Sequence, residues 1–276
     1  MGRISQPMVD ADAASLDYQT RHAGKVDRRS MAVLTTVAVA LTVQRFVFSS
    51  SNVAELPGFL NSLGLSGAGE QLSHVISQPA NYELVRLMFW VSGCLVAYVL
   101  IPVLMLWSLR CCTRENEDRF RIRDCGLRVR GCLKSAPIYL GMLAVMLPAV
   151  WYFSRTEIFQ SKYPFYNLGA DEALWPRFLV WELLYAIQFI CLEFFFRGFL
   201  LHGTKHRFGA SAIWVMMVPY CMIHFAKPMP ECFGAIGAGI ILGYMSLKTR
   251  SIWWGAAVHV AVAWTMDGLA VWHSVA

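Results

Sequence analysis

Glu193 and Arg197 stand four residues apart inside WELLYAIQFICLEFFFRGFLLHG, an apolar run from Trp181 to Gly203 that is long enough to cross a bilayer. An ionisable side chain at the centre of a membrane helix costs at least about 2.5–3.5 kcal/mol, so both need a reason to be there. The spacing supplies one reason: residues i and i+4 share a helix face, with the acid N-terminal to the base, the favourable order for an ion pair. A pair that only pins this helix to its neighbours would account for the spacing equally well. Two later apolar stretches each add one histidine, His224 and His259. A lone histidine in an apolar run is more often a packed core residue than a catalyst. Two on separate spans after a buried Glu suit a site assembled inside a helix bundle. In such a site a buried carboxylate is a competent base for a water, and the histidines can donate to the oxyanion that forms when that water attacks a peptide carbonyl. Glu193, His224 and His259 also make a zinc set with one open position, although no HExxH occurs and the ligands would come from three helices. The same ionisable groups could instead mark a transport path, but no inverted repeat relates the two halves of the chain.

The elements that must position these residues follow from composition. Of 276 residues 57% are hydrophobic and 15% charged, and mean hydropathy is +0.46, which indicates an all-α, polytopic transmembrane helix bundle. The net charge of +6 does not imply nucleic acid, because the basic residues cluster beside apolar runs, where they set orientation in a bilayer. Residues 1–30 are polar, lack a signal-peptide pattern and read as a disordered cytoplasmic tail. Spans are expected at 31–48, 84–109, 136–153, 181–203, 209–224, 233–247 and 252–272, about seven in all, within a transmembrane domain of residues 31–276. The loop 110–134 carries eight basic residues against four acids, and further basic residues sit at 205–207 and at Lys248 and Arg250. Under strict alternation all these clusters share the side of the N-terminus, which the positive-inside rule makes cytoplasmic. The loop's charge would also suit anionic headgroups, but topology alone accounts for it. Its four cysteines, Cys111, Cys112, Cys125 and Cys132, lack paired CxxC spacing and read as reduced thiols rather than a zinc knuckle.

Three segments resemble a known family in order and separation: LEFFFRGFL (192–200), YCMIH (220–224) and SIWWGAAVHVAVA (251–263). They are similar to the EExxxR, FxxxH and HxxxN/D motifs of the CPBP intramembrane peptidases, which include CAAX prenyl endoproteases and bacteriocin-processing proteins. The resemblance implies a catalytic core over 178–276, with Glu193 matching the second Glu, Arg197 the Arg, Tyr220 the aromatic, and His224 and His259 the two histidines. Leu192 stands where the family has its first Glu, and Ala263 where it has Asn or Asp. The resemblance therefore implies an intramembrane endopeptidase with Glu193, His224 and His259 catalytic, Arg197 and Tyr220 in support, and Glu231 or Asp267 as substitutes for the missing carboxylate. It implies no cofactor. The alternative is an inactive relative that binds a lipidated or membrane-embedded peptide. Expected partners are membrane lipids and a peptide or protein substrate that can carry a lipid, and the expected location is a cell (inner) membrane, multi-pass.

Overall fold

The computed structural model describes residues 2–112, 120–129, 132–169 and 172–275, and among them there is no strand beyond one isolated bridge, Leu127 with Ser251. In chain order the helices are α1 (Gly2–Arg21), α2 (Arg28–Thr42), α3 (Leu56–Ser62), α4 (Ser66–Ile76), α5 (Pro79–Leu95), α6 (Ile101–Cys112) and α7 (Ala136–Phe153). After these come α8 (Glu157–Gln160), α9 (Arg177–Glu193), α10 (Leu201–Phe208), α11 (Ala212–Met222), α12 (Met229–Thr249) and α13 (Trp253–Val275). Wider π turns follow α2, join α5 to α6 (Val96–Leu100) and join α9 to α10 (Phe194–Leu200).

Among the described residues, five helical stretches are long and apolar enough to cross a membrane: Arg28–Val47, Asn81–Leu109, Leu133–Phe153, Arg177–Met222 and Met229–Thr249. The expected span 181–203 and all but the last two residues of 209–224 fall inside the 46-residue stretch Arg177–Met222, which bends at Gly209, while the expected span 252–272 falls on α13, outside the five. The turn is built from backbone: Gly209 has φ 55, a left-handed value that favours glycine. At 11 residues α11 is about 16 Å long, roughly half the hydrocarbon thickness, so it ends within the bundle. Its successor can start at once because Pro228 and Pro230 sit at the N-terminus of α12, where a proline costs no helical hydrogen bond. The surface is apolar where lipid would lie; on α7 alone Leu140, Val145, Trp151 and Tyr152 are exposed.

The largest core cluster centres on Phe194, Phe195, Phe196 and Phe199 of the α9–α10 π turn, packed with Tyr98, Ile213, Met216 and Tyr220. α9 therefore runs through the middle, touching α5 and α13, while α11 and α12 form a close hairpin and α7 covers the far side of α13. Behind this helix the basic loop is pinned by backbone: Ile252 N donates to Gly126 O at 2.9 Å. The Cys125 carbonyl lies so near Gly198 that a Cβ there would approach it to 2.6 Å. Burial pushes the Cys125 thiol up to about 12, which keeps it protonated. The side chains of Cys111, Cys112 and Cys132 lie outside the described residues.

The tail corrects the sequence reading. Instead of a disordered stretch, Gly2–Arg21 is a helix packed against α10 and the turn after it. Asp12 Oδ1 accepts from Ala210 N at 2.7 Å, and Ser15 Oγ and Gln19 Nε2 donate to Arg207 O at 2.8 and 2.9 Å. These bonds satisfy backbone groups that the break between α10 and α11 leaves without helical partners. The orientation expected from the charge pattern gives a testable result. In a background without reactive native cysteines, a cysteine at Val129 should react with an impermeant maleimide only after permeabilisation, and one at Leu174 in sealed cells. Labelling at 129 in sealed cells would reverse the topology.

Candidate active site

α9 presents Glu193 at its last position, and the π turn that begins at the next residue carries Arg197. π turns widen the helix and recur at functional sites. Glu193 is 1% exposed and Arg197 fully buried, with Arg197 Nη1 2.9 Å from Glu193 Oε1. The guanidinium also lies face-on over the Tyr220 ring, Cζ 3.9 Å from its centroid. A buried cation is thus met by one carboxylate and one π face.

The same Glu193 Oε1 is 3.0 Å from His259 Nδ1. His259 Nε2 pairs with Tyr220 Oη at 3.0 Å, and Phe189 stacks on the imidazole at 5.4 Å. Three helices are thereby joined in one string, Arg197–Glu193–His259–Tyr220. His224 sits in the turn just after α11, where its Nδ1 donates to the Tyr220 carbonyl at 2.8 Å and its ring meets the Tyr220 ring edge-on at 4.9 Å. Its Nε2 has no protein partner among the described residues.

The two contacts at Glu193 Oε1 are at ion-pair distance but are not aligned as hydrogen bonds. Glu193 Oε1, His259 Nδ1 and all three guanidinium nitrogens of Arg197 are buried polar atoms without an aligned hydrogen-bond partner. Buried polar groups are overwhelmingly paired, so several unaligned ones in one cluster mark a place where hydrogen-bonding capacity remains available. Glycine makes the approach possible: a Cβ at Gly255 would lie 2.5 Å from Glu193 Oε2. Gly255 precedes His259 by one turn, so the same face of α13 offers the space and the imidazole.

The structure thus brings together Glu193, Arg197, Tyr220, His224 and His259. Glu231 and Asp267 lie in a second polar cluster. Tyr163 Oη donates to Glu231 Oε1 at 2.6 Å and accepts from Lys227 Nζ at 2.9 Å. Asp267 is fully buried and accepts from Trp181 Nε1 at 3.2 Å and Phe165 N at 3.3 Å. Among the described residues the partners of these two carboxylates lie outside the Glu193 string. The two divergent positions are apolar in surroundings as well as in type: Leu192 packs in the phenylalanine cluster and Ala263 against Trp181 and Tyr185. Among the described residues no three of His, Cys, Asp and Glu are gathered as metal ligands, and both nitrogens of His259 face protein polar atoms. The residues present do not fit a three-ligand zinc site.

Sequence reasoning missed the hydroxyl of Tyr220, the part played by Gly255, and Glu182. Glu182 is buried in α9 beside the Asp267 carboxyl, and a signal for it existed. It precedes Glu193 by eleven residues, three turns, and so lies on the same stripe of the helix.

Residues 174–265 match the family described as Rce1-like, type II CAAX prenyl endopeptidase. That stretch contains every member of the Glu193 string and stops short of Asp267. No curated protein and no solved structure matches the chain.

Proposed function

We propose that this chain, whose residues 174–265 match the Rce1-like family of type II CAAX prenyl endopeptidases, is an intramembrane endopeptidase that cuts near the C-terminus of a lipidated protein tail. The observation that carries this reading is the convergence of Glu193 Oε1 on Arg197 and His259 with hydrogen-bonding capacity still available. In the proposed reaction a water attacks the scissile carbonyl carbon, and its proton goes to Glu193, directly or through His259. Arg197 pairs with that carboxylate and fixes its place, and Tyr220 holds His259 in position from its other nitrogen. His224 serves the oxyanion as an imidazolium: its Nδ1–H is held by the Tyr220 carbonyl, and its Nε2–H, which meets no protein partner among the described residues, donates to the oxyanion. Collapse of the tetrahedral species then breaks the C–N bond as the proton passes from Glu193 to the leaving amine. The short α11 supports this reading, because it lets His224 turn back at the depth of the other two residues.

One observation favours a second reading, binding without cleavage. Leu192 fills the position of the family's first Glu with a core side chain, and Glu193 itself is 1% exposed. The deciding experiment uses the purified protein in phosphatidylcholine nanodiscs, a farnesylated peptide ending in a CAAX sequence, and mass-spectrometric detection of the released tripeptide. Wild type is expected to release it, and Leu192→Glu to be no faster, because a second buried carboxylate would hinder ionisation of the first. A silent wild type together with an active Leu192→Glu would establish the binding reading instead.

A further inference from the structure

One groove lies away from the Glu193 string, where the C-terminal half of α6 meets the first described residues of the basic loop. It encloses about 380 Å³, at the small end of the range of about 300–1,000 Å³ for ligand sites. Val103, Leu106 and Trp107 form one wall, at i, i+3 and i+4 on a single face of α6. Phe120 and Ile122 form the other, and Phe120 is fixed there between Phe199 and the Arg29 guanidinium. The lining would be unremarkable for a lipid-facing surface but for its rim, which carries Arg121 and Arg123.

Both arginines are exposed, and neither lies within ion-pair distance of a carboxylate among the described residues. The nearest described acid in sequence, Asp124, is turned back on the chain, accepting from Arg121 N at 2.9 Å. By contrast the neighbouring Arg29 is engaged, donating to the carbonyls of Gly203 and His202. The short helical turn Ile122–Asp124 thus holds two cations at the mouth of an apolar slot. That slot starts where the apolar stretch Asn81–Leu109 ends and where Trp107, 64% exposed, stands at the depth suited to an interfacial aromatic. Setting topology requires only positive charge near a span end. It does not require an apolar groove ending between two arginines that meet no carboxylate among the described residues, and this combination has the chemistry of one acyl chain with an anionic headgroup at its end.

We infer that this groove is a binding site for an anionic phospholipid, with the phosphate held by Arg121 and Arg123 and one acyl chain lying along Val103, Leu106 and Trp107. Guanidinium forks suit phosphate oxygens, and the contact sits at the membrane surface where competing water is depleted on one side. The site acts on the fold, since the loop it anchors is the one pinned behind Gly198 and the α12–α13 turn.

The test measures thermal unfolding of the full chain in phosphatidylcholine nanodiscs with and without phosphatidylglycerol. Native mass spectrometry of lipid retained on the detergent-extracted protein is run in parallel. Wild type is expected to melt about 3 °C or more higher with phosphatidylglycerol and to retain it in preference to phosphatidylcholine. Arg121→Gln/Arg123→Gln should melt like wild type in phosphatidylcholine alone and lose both effects. Trp107→Ala should weaken retention while keeping the headgroup preference. Soluble glycerol phosphate should not protect. Equal protection of the double variant, equal protection by phosphatidylcholine, or protection by glycerol phosphate would each overturn the proposal. Should the double variant prove too unstable to melt, preferential retention by wild type must still disappear when Leu106→Trp fills the groove; persistence would sink the idea.

Discussion

Glu193→Gln, His224→Ala and His259→Ala are each expected to lower cleavage of a membrane-presented prenyl peptide by roughly 10³-fold or more, the scale of losing a general base or an oxyanion donor. The reason for equal effects is the shared string: His259 links Glu193 at 3.0 Å to Tyr220 at 3.0 Å, and Tyr220 packs against His224. Residues that act as one unit are not additive, so double variants should be no worse than singles. Tyr220→Phe separates roles within the unit. It removes the hydroxyl that holds His259 but keeps the ring under Arg197, and a loss of roughly tenfold with an unchanged melting temperature is expected if orientation is its contribution. Single variants with multiplicative losses would show independent sites. Inactivation by chelators with recovery on adding zinc would replace the glutamate-water route by a metal one.

Much of this site could be read from residue spacing, because its members are local or motif-borne. The i, i+4 relation of Glu193 and Arg197 fixes their pairing once the segment is helical, and SIWWGAAVH sets Gly255 and His259 on one face. What the sequence could not reveal is how the helices meet. Tyr220 Oη reaches His259 across 39 positions, and no periodicity encodes that hydrogen bond. Asp267 is a candidate for the missing carboxylate from its place near the end of a span, and what the sequence does not reveal is that an indole and a backbone N–H from distant segments engage it. The tail failed for a related reason. α1 is held by polar side chains bonded to backbone atoms of residues 207 and 210, contacts that leave no apolar stripe to read. Span counting is hardest at the bend of Gly209, where a chain break in direction occupies only a few residues inside a 46-residue apolar stretch.

Arg197→Met is expected to be the most destabilising single change near the site, by roughly 3–5 kcal/mol, because it leaves one partner of a buried pair behind. Both side chains are essentially unexposed, and Arg197 has no aligned hydrogen bond to share the loss. Arg197→Lys should recover only part of it. An ammonium keeps the charge but loses the planar group that lies over Tyr220 at 3.9 Å. The informative variant is the double, Arg197→Met/Glu193→Gln. If the pair is maintained for function rather than for stability, replacing both charges by groups of similar volume removes the desolvation cost as well as the attraction, and the double should be markedly more stable than Arg197→Met alone while remaining inactive. Denaturant unfolding in detergent micelles reads the cycle. A double variant at least as unstable as Arg197→Met would mean that the charges hold α9 against α13 structurally. The carboxylate would then serve the fold first and the chemistry only through the position it gives His259.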